Sequence, residues 1–118
     1  MKNKIGEKID LKTFGICLFD PRITIKQLKS NIQKFWCWGA TAWLSDQNNS
    51  QLSTFLRFYV TGRKFTGHIC IRLNGLDLYD IFYCSLRGTI KKIDTDVYGE
   101  DICDLIDNEI EKISAYVF

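Results

Sequence analysis

Proline and histidine occur once each in this chain, at Pro21 and His68, and no stretch is rich in glycine, serine or proline. Long disordered linkers are therefore not expected. The five cysteines (17, 37, 70, 84 and 103) form no C-x-x-C pair, and their odd number does not suit a secreted disulfide framework. One histidine with scattered cysteines does not supply four ligands at zinc spacing, so no metal site is expected. The glycine-rich loops that cradle phosphates, G-x-x-x-x-G-K-S/T and G-x-G-x-x-G, are missing, and no cofactor is expected. No apolar run reaches the ~20 residues of a membrane span. The start, MKNKIGEK, leads into no apolar stretch and does not read as a signal peptide. The expectation is a reduced, cytoplasmic protein with free thiols and no membrane contact.

Acidic residues are scarce only until late in the chain. From Met1 to Lys92, 15 Lys and Arg face 6 Asp and Glu, a balance of +9. From Ile93 to Phe118, one Lys faces 8 acids, a balance of −7. The net charge of +2 conceals this polarity. A chain so sorted offers a basic surface to a polyanion while its acidic segment repels polyanions elsewhere. With 8 Phe, 5 Tyr and 3 Trp in 118 residues, it can bury a core as a single domain, 1–118, without disulfides.

The first ten residues are polar and expected to be loosely held. Thr13 to Phe19 reads as a strand, closed by the Asp20-Pro21 turn. Ile25, Leu28, Ile32 and Phe35 form one helical stripe, with Thr24 as its N-cap. Trp36 to Leu44 reads as a strand on which Trp36 and Trp38 share a side, and Ser45 to Gln51 as a loop. Leu56, Phe58 and Val60 alternate with Arg57 and Tyr59, and Ile69, Ile71 and Leu73 alternate with His68, Cys70 and Arg72. A hairpin turn at Thr61–Lys64 joins them, and Asn74-Gly75 predicts a two-residue turn of type I′. Leu76 to Cys84 continues the meander with a bulge near Tyr79-Asp80. After a turn at Leu86–Thr89, Ile90–Ile93 forms a short edge strand. Ile102, Leu105, Ile106, Ile110 and Ile113 stripe a last helix, with Glu100, Asp101 and Asp104 at its start, where the helix dipole favours negative charge. The fold expected is α+β: an antiparallel meander of four to five strands with two helices packed on one face.

Candidate sites follow from the face the helices leave free. It is expected to present Arg57, Tyr59, His68 and Arg72, joined by Tyr79 from the next strand and by Arg63 and Lys64 from the hairpin turn. Interleaved Arg and Tyr stack bases and neutralise phosphates; the same residues dominate protein-binding hot spots, and they also serve as plain cross-strand pairs on a solvated face. Trp36 and Trp38 are candidate anchors for a partner, with core packing as the alternative. No catalytic residues are assigned. His68 and Cys70, two apart on one strand, sit roughly 6–7 Å apart without a third orienting group. The acids beyond the isoleucine stripe (Asp101, Asp104, Asp107, Glu111) make a solvated ridge or a mimic of a phosphate backbone.

The helix-strand-strand-strand-helix order over residues 24 to 113 is similar to that of the double-stranded RNA-binding domain, which implies RNA as a ligand. That family carries lysines at the start of its last helix; here the turn reads Gly99-Glu100-Asp101-Ile102-Cys103-Asp104, so its RNA-binding residues are not carried over. The stretch TGHICIRLNGLDLYDI (66–81) looks like the central hairpin of small single-domain proteins of phages and mobile elements. That population includes anti-CRISPR and other anti-defence inhibitors. The resemblance implies a non-enzymatic inhibitor that docks on a host RNA-guided nuclease or nucleoprotein. A plain RNA-binding module and a subunit of an oligomeric assembly are the alternatives, with the oligomeric state left open.

Overall fold

Period-two alternation along Leu56–Thr61 and Thr66–Leu73 builds the middle of the sheet, because each strand sends its Leu, Ile, Val and Phe to one side. A computed structural model describes residues 4–45, 52–62 and 64–110. Five antiparallel strands lie in sequence order: β1 (Thr41–Ser45), β2 (Leu56–Thr61), β3 (Thr66–Leu73), β4 (Tyr79–Cys84) and β5 (Ile90–Val97). Helices α1 (Leu11–Phe14), α2 (Pro21–Leu28) and α3 (Ile32–Cys37) precede the sheet, and a 3-10 turn at Gly99–Asp101 leads into α4 (Ile102–Ile110). The chain thus adopts the expected α+β meander, with its substantial helices packed on one face. No helix among the described residues is long and apolar enough to cross a membrane.

Local signals explain the helix ends, and they differ from the expected ones. Asp20, not Thr24, caps α2 by accepting from the Arg22 N–H, with Pro21 in the first turn. The Ile25–Phe35 stripe is not one helix. Asn31 takes a β conformation and caps α3 by accepting from the Lys34 N–H at 3.2 Å, so the chain breaks after Leu28 and restarts. Trp36 to Trp38 belongs to that second helix and its cap rather than to a strand. Gly39, at φ +59°, then swings the chain into β1.

The main core lies between helices and sheet, where Leu28, Trp38, Phe58, Ile69, Ile81 and Ile106 have no exposed surface. The opposite face is not free. The N-terminal segment folds across it, burying Phe14 against Phe82, Cys70, Cys84 and Ile90. The Phe14 and Phe82 rings meet edge to face at 4.8 Å. Residues 6–9 bond to the β4–β5 turn: Gly6 N donates to Ile90 O and Ile9 N to Gly88 O, each at 2.8 Å. Residues 6–9 of the polar start are tied down here, and the expected strand over Thr13–Phe19 is replaced by the end of α1 and single bridges at Cys17 and Phe19.

A basic cleft as the candidate functional site

The β3–β4 hairpin decides which side chains share a face. Asn74-Gly75 does not make a two-residue turn. The connection spans Asn74–Leu78, with Asp77 N donating to Asn74 O, the Asn74 side chain accepting from Leu76 N at 2.8 Å, and the positive φ at Asp77 (61°). Leu73 therefore pairs with Tyr79 and Arg72 with Asp80. Tyr79, Ile81 and Tyr83 point to the helices; Asp80, Phe82 and Cys84 point to the far face. The bulge expected at Tyr79-Asp80 sits instead on β5, where Asp96 takes φ 56°.

Three of the expected site residues become structural. Tyr79 is buried on the helix side, its hydroxyl 2.9 Å from Thr24 Oγ1, and burial pushes its phenol up from the usual range. Trp38 is fully buried and donates from Nε1 to Asp107 Oδ1 at 3.1 Å, which also removes Asp107 from the acidic ridge. Arg72 pairs with the buried Asp80 carboxylate at 3.0 Å and donates to the Phe14 carbonyl at 2.9 Å. Its guanidinium lies 5.0 Å from the Phe14 ring and 4.9 Å from the Phe82 ring. It fastens the N-terminal segment to the sheet. Of the other candidates, Lys64 is exposed and donates to the Asn108 carbonyl at 2.9 Å, Trp36 stands 71% exposed on α3, and Arg63 lies outside the described residues.

Arg57, Tyr59 and His68 do come together on the far face. Tyr59 faces His68 across β2–β3, their rings 5.7 Å apart, and Arg57 faces Cys70. His68 also lies opposite Cys84 at the end of β4. The chain then turns over Ser85–Thr89, closed by Gly88 N donating to Ser85 O at 2.8 Å, with Gly88 at φ +88°. That turn carries Leu86 and Arg87 over His68. With Ile9 and Leu11 from the N-terminal segment, they enclose a cleft of about 230 Å³ floored by Arg57 and His68. Arg87 was not among the residues expected from sequence. The signal lay in the register, since His68 opposite Cys84 puts the next turn above it.

The electrostatics of the cleft follow from these positions. Burial first, then the Arg57 charge, holds the His68 imidazole below its usual range, against a hydrogen bond with the Leu86 backbone. The Cys70 and Cys84 thiols hydrogen-bond each other beneath it. That bond, with Arg57 adding to it, lowers Cys84, while the bond and burial raise Cys70. Both thiols are fully buried, so neither is open to a substrate. Among the described residues no three His, Cys, Asp or Glu come together to hold a metal ion. The acids gather elsewhere: Asp96, Asp101 and Asp104 line a groove of about 380 Å³ between the far end of β5 and α4, on the helix side of the sheet. The separation is partial, since Lys34 pairs with Asp104 at 2.8 Å and Lys92 with Glu109.

No protein family matches the chain, and no curated protein or solved structure is significantly similar to it.

Proposed function

We propose that this chain is a cytoplasmic, non-enzymatic binding protein that docks on a nucleoprotein, in the manner of an inhibitor of an RNA-guided nuclease, through the basic end of its sheet. The observation that carries this reading is the pair of guanidiniums at Arg57 and Arg87. Neither has an ion-pair partner among the described residues, and both line one cleft with His68, whose ring meets Tyr59, while Asp96, Asp101 and Asp104 line a groove on the helix side. Unpaired arginines beside aromatic rings meet nucleic-acid phosphates and bases at low cost, and the acidic groove opposes docking the other way round. A pull-down from host lysate with the wild-type chain and the Arg57→Glu and Arg87→Glu variants tests it. Capture of a protein–RNA complex by the wild type alone supports the reading; equal capture by all three defeats it. A plain RNA-binding module is the second reading, favoured by the Tyr59–His68 rings, and recovery of RNA without protein would select it.

A further inference from the structure

The cleft under the β4–β5 turn has three features of a prepared anion site. It is lined by two guanidiniums and an imidazole and by no carboxylate. Arg22 and Arg72 spend their charge on Asp20 and Asp80, whereas Arg57 and Arg87 have no such partner among the described residues. Secondly, Arg57 Nε and His68 Nδ1 are buried without a hydrogen-bond partner. Buried polar atoms are rarely left so; neither atom has surface open to the cleft, so an anion bonds them only as the Arg57 and His68 side chains turn toward it. Thirdly, Ile9, Leu11 and Leu86 border the cleft beside Arg57, His68 and Arg87, and most of its open surface is polar. At about 230 Å³ the space exceeds several times the ~30 Å³ that one liquid water occupies, so it admits a tetrahedral oxyanion and part of what it is attached to.

We infer that this cleft binds a phosphate group, held by the guanidiniums of Arg57 and Arg87 and by the His68 imidazole. A guanidinium presents planar paired donors that match phosphate oxygens. A protonated His68 would add a donor beside them, one of its ring nitrogens being engaged with the Leu86 backbone. The inference deepens the nucleoprotein reading and rests on it for the origin of the phosphate, a nucleic-acid backbone rather than a free ion.

The test is a ¹H–¹⁵N NMR titration of the full chain, following the Arg side-chain Nε–H and the His68 ring. Inorganic phosphate is the first probe and a ten-nucleotide single-stranded RNA the second, each added to the wild type, Arg57→Gln, Arg87→Gln and a Lys64→Gln control. The expected result is saturable movement of the Arg57, His68 and Arg87 signals with both probes, tighter for RNA. Binding should weaken at least tenfold in Arg57→Gln and Arg87→Gln and stay unchanged in Lys64→Gln. Because Arg87 is exposed on a turn, its variant keeps the test valid if Arg57→Gln folds poorly. RNA binding that moves signals elsewhere, with phosphate moving none in the cleft, overturns the inference and leaves the broader reading standing. Phosphate binding in the cleft with no gain for RNA keeps the phosphate site and removes the nucleic-acid origin. Silence of the cleft toward both probes overturns the inference outright.

Discussion

Replacing Arg72 with methionine keeps the aliphatic stem but strips the charge that faces Asp80. The carboxylate left behind is 6% exposed at its side chain, and Arg72 itself only 18%. Removing one partner of a buried pair costs about 3–5 kcal/mol. Asp80 keeps an acceptor role toward Asn74 Nδ2 at 3.0 Å and Asp96 N at 3.3 Å, which places the loss at the lower end. The Phe14 carbonyl also loses its donor, adding roughly 1 kcal/mol. A total of about 3–4 kcal/mol is a large share of the 5–15 kcal/mol typical of a small domain. In urea, with a slope of about 2 kcal/mol/M, the unfolding midpoint should fall by roughly 1.5–2 M. Equilibrium urea unfolding followed by tryptophan fluorescence reads this directly. A midpoint within about 0.3 M of the parent would refute the reasoning and return Arg72 to the pool of free surface cations. Binding tests that reverse charge at Arg72 would report unfolding, which is why Arg57 and Arg87 are the informative positions.

Trp38→Phe should cost about 2 kcal/mol in the same assay, because Asp107 loses a buried donor, while Trp36→Ala, at an exposed site, should stay within about 0.5 kcal/mol; equal effects would contradict the assignment of one to the core and the other to solvent. His68 should titrate below the ~6.5 of a free imidazole when its ring protons are followed by NMR. Since the unfolded chain then takes up the proton more readily than the folded one, stability should decline as pH drops below about 6.5, with no such loss above it; a midpoint at or above 6.5 would contradict the burial argument. Gly67→Ala should unfold or strongly destabilise the chain, because a Cβ there collides with the Cys84 carbonyl across the β3–β4 ladder; a soluble variant with an unchanged melting temperature would show that the two strands separate more easily than their register implies.

The meander and its inward residues were legible because alternation along β2 and β3 is strict and their apolar face is continuous. The error in β4 has one cause. A two-residue turn at Asn74-Gly75 would have set Tyr79 opposite Cys70, on the arginine face. The actual five-residue connection moves the register by an odd number and sends Tyr79 to the helices. Asn74 drew that misreading because the same side chain that favours a tight turn also accepts from two backbone N–H groups of a longer one. The cover on the far face was hidden because Ile9, Leu11 and Phe14 show no strand or helix period. Their burial depends on Arg72 and on the edge of β5, which are distant in sequence. Strand alternation placed Arg57 and His68 on one face, as the register has them, and gave no sign of Arg87, whose place above them comes from the Gly88 turn.

The central claim, that Arg57 and Arg87 meet phosphates of the partner's nucleic acid, is tested most directly by the salt dependence of binding. The ten-nucleotide RNA serves as the stand-in, with wild type and the Arg57→Gln/Arg87→Gln double variant compared. Each phosphate contact on a single strand contributes about 0.7 to the slope of log K against log salt. Because both guanidiniums hold the same phosphate, the account predicts that the double variant loses about 0.7 from the magnitude of that slope. An identical slope in both proteins would mean that RNA is held elsewhere, and would contradict it.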